Sequence, residues 1–202
     1  MMSLGASGSI GAAVTFSSWK GRPYARELVI PANPKSGLQV GFRSMFRFLS
    51  QQWQNQSAQN QATFDDLADQ IVASPFNAYM RYNQKRWRNF NPPSIIYPAA
   101  ETDDVAELTP GFAAAAGVAS ILLTWTVSTL NENWGIVIYR DTSSSFTPSL
   151  SNVVQVVLTD AQQAYSWLDS PLVPATYYYN AMLFTLDGKI DVALGEVNAA
   201  AS

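Results

Sequence analysis

Apolar positions in the first half of the chain recur first with strand-like and then with helical spacing, and the switch sets the element order. Ala13–Trp19 and Tyr24–Ile30 have strand composition and flank Lys20-Gly21-Arg22-Pro23. Glycine tolerates positive φ and proline fixes its own, so this stretch predicts a β-hairpin turn. Pro31-Ala32-Asn33-Pro34 then stops the ladder, because proline has no N–H to donate. Leu38, Phe42, Met45, Phe46, Leu49 and Trp53 fall on one helical face, with Ser36 at the N-cap position. A Gln/Asn-rich link over 51–60 follows. Phe64, Leu67, Ala68, Ile71 and Val72 repeat the helical spacing, with Asp65 and Asp66 in an early turn, where they suit the helix dipole. After Ser74-Pro75, the positions Phe76, Tyr79, Met80, Asn83 and Trp87 predict a third helical stretch, either separate from the second or continuous with it. Asn91-Pro92-Pro93 ends all helix.

From about residue 105 the period becomes strand-like. Ser120–Val127, Trp134–Arg140, Val153–Leu158, Tyr165–Leu168, Thr176–Thr185 and Ile190–Val197 read as short strands bounded by Gly, Pro, Asn, Asp or Ser. Asp187-Gly188 predicts a hairpin turn between the last two. About seven short strands in some 95 residues predict an immunoglobulin-like sandwich. Leu172, Pro174, Thr176 and Tyr178 stand two apart in LVPATYYY, which resembles the L-x-P-x-T-x-Y element of fibronectin type III domains. The resemblance implies that Tyr178 is the tyrosine-corner residue and Trp125 the core tryptophan. The fold class expected is α+β and multidomain: an arm with a β-hairpin (1–35), a small helical docking domain (36–92), a linker (93–108) and a fibronectin type III-like sandwich (109–202).

Charge divides along the same line. Residues 1–100 carry ten Lys and Arg against four acids, a net +6, while residues 101–202 carry two against eleven, a net −9. Such asymmetry suggests two parts with different partners. Charged residues make up 13% of the chain, about half of the usual ~25%, which fits either a plainly polar surface or one meant to be covered. The acids Glu101, Asp103, Asp104 and Glu107 read as a solvated hinge.

Composition removes most catalytic chemistry. The chain has no cysteine and no histidine, so thiolate nucleophiles, disulfides, a Ser-His-Asp triad and the commonest metal ligand are all excluded. Asp65, Asp66 and Asp69 share a helix without a partner cluster. GASGSIG sits at a chain end without the strand and helix that a phosphate loop needs. Asp141, Asp160, Asp169 and Asp187 occupy expected turns and strand ends. No enzyme, cofactor or metal is therefore expected. The start, MMSLGASGSIGAAV, lacks the basic region and apolar core of a signal peptide. The longest apolar stretch, 117–127, is too short to span a bilayer, so no membrane partner is expected.

Two basic-aromatic groups remain. Trp19, Lys20, Arg22, Tyr24 and Arg26 crowd the hairpin, and Arg81, Lys85, Arg86 and Arg88 end the third helix beside Tyr82 and Trp87. Either suits an acidic protein surface or nucleic acid. The motif Phe16-Ser17-x-Trp19-Lys20-Gly21-Arg22-x-Tyr24-x-Arg26, then Val29-x-Pro31-Ala32-Asn33-Pro34-Lys35, then Gln39, Arg43, Phe46 and Trp53, resembles a group of small tailed-phage virion proteins over about residues 8–95. Asn77-Ala78-Tyr79 echoes a later segment of that group.

The resemblance implies a non-enzymatic bacteriophage virion structural protein, located in the particle and assembled in the bacterial cytoplasm. Its place would be head decoration, head fibre or neck, with capsid, portal, neck or tail proteins as partners and a homo-oligomeric state. Trp19, Lys20, Arg22, Tyr24, Arg26, Pro31 and Pro34 would dock, the hairpin adding its edge to a neighbouring subunit. The sandwich would project. Two alternatives stand beside it. One is a DNA-binding accessory protein using residues 20–26 and 81–88. The other is a host-surface-binding module anchored by Trp134, Tyr139 or Trp167.

Overall fold

Two positive φ angles build the hairpin turn. Lys20 (φ 49°) and Gly21 (φ 77°) are both left-handed, the pattern of a two-residue type I′ loop whose twist matches its strands. They join β2 (Val14–Trp19) to β3 (Arg22–Glu27), and β1 (Gly8–Ile10) pairs with the other side of β2, giving an antiparallel sheet of order β1-β2-β3. Arg22 and Pro23, expected in the turn, belong to β3. The computed structural model describes residues 7–10, 14–27, 35–100, 111–126, 134–159, 164–185 and 190–202. Pro31 and Pro34, the acidic residues of the expected linker and the expected Asp187-Gly188 turn lie outside the described residues. The chain divides into two compact units, Met1–Pro34 and Lys35–Ser202, and the β1-β2-β3 sheet is the described structure of the first.

The second unit begins with helices set by the apolar spacing: α1 (Gly37–Asn55), α2 (Ala58–Ala62), α3 (Asp65–Ile71) and α4 (Pro75–Arg88). Helices α3 and α4 are separate. Val72 turns left-handed (φ 52°) at the end of α3, and the Ser74 hydroxyl caps α4 by accepting from the Asn77 N–H. Ser36 holds the N-cap position of α1 but makes no side-chain cap. Phe64 is fully buried at the centre of an aromatic cluster, with ring centroids of Tyr79 at 5.2 Å, Tyr82 and Tyr97 at 6.1 Å and Trp53 at 6.3 Å.

Seven strands follow: β4 (Ala113–Gly117), β5 (Ser120–Thr126), β6 (Trp134–Asp141), β7 (Val153–Thr159), β8 (Ala164–Asp169), β9 (Ala175–Thr185) and β10 (Ile190–Ala201). They form two antiparallel sheets, β4-β5-β8 and β10-β9-β6-β7. One core lies between the sheets, built on Ile121, Leu123 and Trp125 from one side and Ile136, Ile138, Tyr179, Ala181 and Leu183 from the other. The opposite face of the larger sheet supplies Val137, Tyr139, Val153, Val156 and Phe184 to a second core, shared with Met45, Phe48 and Leu49 of α1 and Tyr79 and Trp87 of α4. The chain is therefore α+β, with the larger sheet buried on both faces. That explains why Ile136–Tyr139 is buried at every position rather than at every second one.

The shared core changes the expected domain plan. Residues 36–92 are not a body apart from the sheets: Phe48 packs edge-on to Phe184 at 5.5 Å, and α1 covers the edge strand β7. The Ser44 hydroxyl donates to Gln155 Oε1 at 2.6 Å and accepts from the Val156 N–H at 2.9 Å, so a helix side chain satisfies an edge donor. Residues 93–100 of the expected linker are packed as well, since the Asn83 amide donates to the Ser94 carbonyl (2.9 Å) and its carbonyl accepts from the Ser94 N–H (2.7 Å).

Helix α1 approaches the turn before β7 at Gly37, where a Cβ would clash with the Ser151 carbonyl oxygen. Helix propensity alone would make Gly37→Ala stabilising by up to about 1 kcal/mol. The clash reverses the sign, and we expect a loss of about 1–3 kcal/mol in urea unfolding. A gain would show that α1 does not approach this turn.

Candidate functional site

Antiparallel register places the expected docking residues of the arm together. Trp19 opposes Arg22, Ser17 opposes Tyr24 and Thr15 opposes Arg26. Directly opposed side chains share a face, so Trp19, Arg22, Tyr24 and Arg26 lie on one face, with Lys20 at its tip. Val14, Phe16 and Ala25 lie on the other. Trp19 is 67% and Tyr24 40% exposed, and the Lys20 ammonium sits 4.8 Å from the Trp19 ring centroid, a cation–π contact. The free edge of β3 is a poorer feature. Trp19 and Arg22 close a two-residue loop and exchange their hydrogen bonds, so the next residue, Pro23, directs its nitrogen outward. A proline there removes one donor from any added ladder.

A second basic feature belongs to the other unit. Arg81, Lys85 and Arg86 of α4 line an open groove of about 450 Å³ with Leu67 and Ile71 of α3, Tyr82, Asn89, Asn91 and Tyr97. Arg81 and Lys85 are exposed and one helical turn apart. The Arg86 Nε donates to the Pro92 carbonyl at 2.8 Å, and its guanidinium lies 5.8 Å from the Tyr82 ring centroid. Arg88 leaves this group, its guanidinium lying over Phe42 at 5.9 Å. The groove wall formed by residues 91–97 depends on Asn83, which the spacing marked only as a core position of the helix.

Trp125 is buried between the sheets, stacked on Tyr165 at 5.9 Å. Leu172 is buried, whereas Pro174 and Thr176 are exposed. The hydroxyl that bonds back to the preceding segment belongs to Tyr177, not Tyr178: Tyr177 Oη donates to the Val173 carbonyl at 3.1 Å. The two-residue count from Leu172 assumed an extended chain, but β9 begins only at Ala175, so the parity changes before the strand starts and Tyr178 falls on the opposite face. Tyr139 cannot anchor a host surface, because it is buried against the helices. Trp167 is half-buried at the inter-sheet core, and the side chain of Trp134 lies outside the described residues.

Between the sheets sits a polar group that the sequence placed only at a strand end. Asp169 of β8 accepts from Arg140 Nη1 of β6 at 2.6 Å and from the Tyr179 hydroxyl of β9 at 2.8 Å. The Arg140 guanidinium lies 5.3 Å from the Tyr177 ring centroid. Among the described residues no group of three or more His, Cys, Asp or Glu could hold a metal ion, and no helix is long and apolar enough to cross a membrane.

No family model matches the chain, and no curated protein does. Among solved structures, the crystal structure of a family 76 glycoside hydrolase from a bovine Bacteroides thetaiotaomicron strain is similar over 45% of this chain and 19% of its own, with 12% identity and a TM-score of 0.33. A likeness that weak carries no argument about activity.

Proposed function

We propose that the chain is a non-enzymatic structural component of a tailed-phage particle, a head decoration, head-fibre or neck protein, that docks through its N-terminal arm and presents a body containing an immunoglobulin- or fibronectin type III-like sandwich. The observation that carries the docking part is that Trp19, Arg22, Tyr24 and Arg26, all exposed, share one face of the hairpin. Exposed tryptophan, tyrosine and arginine are the side chains most often dominant in protein interfaces. The strand orders β4-β5-β8 and β10-β9-β6-β7, with the chain crossing between sheets after β5, β7 and β8, support the sandwich reading. The packed helices support a body that moves as one piece with its sandwich, rather than a sandwich swinging on a linker.

Removal of residues 1–34 is the test. The shortened chain, from Lys35, should melt at the temperature of the full chain and be missing from purified particles. Trp19→Ala with Arg22→Glu should weaken association at least ~30-fold, about 2 kcal/mol at a dominant contact. Mass spectrometry of intact particles, counted against the major shell protein, gives the copy number. Absence of the full chain from particles overturns the reading. Arm-dependent binding of DNA that collapses steeply with salt would favour the nucleic-acid alternative.

A further inference from the structure

The basic groove on α3 and α4 has a composition that selects among ligands. Among the described residues, three cations line it and no acid does. Arg81 and Lys85 make no ion pair among the described residues. Its floor is aliphatic, from Leu67 and Ile71. Its aromatic side chains are already engaged: Ala99 N–H donates to the Tyr82 hydroxyl at 3.1 Å, Arg86 covers the Tyr82 ring, and Tyr97 meets that ring edge-on at 5.0 Å. Recognition of single-stranded nucleic acid relies on aromatic faces free to stack bases, and Tyr82 offers none. A carboxylate beside an aliphatic side chain uses every part of the site. Guanidinium and ammonium groups pair with carboxylates, Leu67 and Ile71 receive the apolar side chain, and the amides of Asn89 and Asn91 suit a peptide backbone. The size is that of a small-ligand site, roughly 300–1,000 Å³, which fits a short segment and not a folded surface.

We propose that this groove binds a short acidic segment of a partner protein, with carboxylates on Arg81 and Lys85 and one aliphatic side chain on Leu67 and Ile71. The inference does not rest on the virion reading, since the groove lies wholly within residues 35–202 and the arm face within residues 1–34.

Fluorescence anisotropy of the full chain with a labelled Glu-Asp-Leu-Asp-Glu peptide tests it. Saturable binding is expected, at least ~10-fold weaker for the Arg81→Glu/Lys85→Glu chain, weaker again for a peptide with glycine in place of leucine, and unchanged by Arg22→Glu on the arm. Both groove substitutions lie on exposed positions, so their thermal melt should match that of the parent. No saturable peptide binding, or binding indifferent to Arg81→Glu/Lys85→Glu, overturns the proposal. Groove-dependent binding of oligothymidylate in place of the peptide assigns the groove to nucleic acid and also overturns it. Peptide binding seen only after Glu101→Gln, Asp103→Asn, Asp104→Asn and Glu107→Gln assigns the groove to the chain's own acidic stretch, and overturns the partner reading.

Discussion

Above pH 10 the body formed by residues 35–202 should lose stability by up to about 4 kcal/mol per pH unit. Tyr79, Tyr139 and Tyr179 are each almost wholly buried. Burial pushes all three phenols well above the ordinary tyrosine value, and for Tyr179 the neighbouring Asp169 carboxylate pushes further. In the unfolded chain the same groups ionise near pH 10. Between that value and their raised folded values the native state binds more protons than the unfolded one, so stability falls as pH rises. Below pH 10 both states are protonated and the full stability is present. Each tyrosine contributes about 1.36 kcal/mol per pH unit. Against a typical total of about 5–15 kcal/mol, the transition should be complete within a few pH units. Tyrosinate absorbance should rise in two phases, exposed tyrosines first and the buried three together with loss of circular dichroism. Tyr139→Phe should cut the slope by about a third. Simple one-phase ionisation of all nine tyrosines without unfolding would refute the burial argument.

The positions of these tyrosines show what the residues disclosed and what they hid. Helical spacing from Leu38 to Trp53 located α1 within two residues of its observed ends, because an amphipathic helix on a core must repeat near 3.6. Six strands of the second half were legible for the analogous reason. Strand β4 was not, because Ala113–Gly117 carries no alternation and alanine favours helix. The burial of both faces of the larger sheet was written in Gly135–Tyr139 as an unbroken apolar run, but such a run does not say what covers the second face. Tyr139 was consequently read as a surface candidate, while α1 lies over that face. Asn83 repeated the problem in polar form: at an apolar position of a helix, an asparagine signals a buried hydrogen-bonding duty, and its partner, Ser94, lies beyond two prolines. The arm's hairpin was legible but its register was not: the expected turn ran from Lys20 to Pro23, whereas the turn is only Lys20 and Gly21, and register decides which side chains share a face.

Asp169→Ala should cost about 3 kcal/mol, at the lower end of the roughly 3–5 kcal/mol for breaking a buried ion pair, because the Arg140 head retains some water. The substitution leaves two donors stranded between the sheets. The Tyr179 hydroxyl loses its only acceptor in the described hydrogen bonds, and Arg140 keeps its charge over the Tyr177 ring without a counter-ion. For a chain of this length the melting temperature should fall by about 6–12 °C. Tyr179→Phe alone should cost about 1 kcal/mol, and the double variant should fall short of the sum, since the two share one bond. A loss below 1 kcal/mol for Asp169→Ala would mean that the apolar core alone sets how the sheets face each other. The expected larger loss has a structural consequence. Asp169 belongs to β8 of one sheet, and Arg140 and Tyr179 to neighbouring strands of the other, so the three groups meet in only one relative placement of the sheets. Apolar packing tolerates sliding, whereas a buried carboxylate with two donors does not. Replacing all three by Asp169→Leu, Arg140→Met and Tyr179→Phe should recover much of the stability while broadening the amide resonances of β8. That separates a contribution to stability from one to uniqueness of the fold.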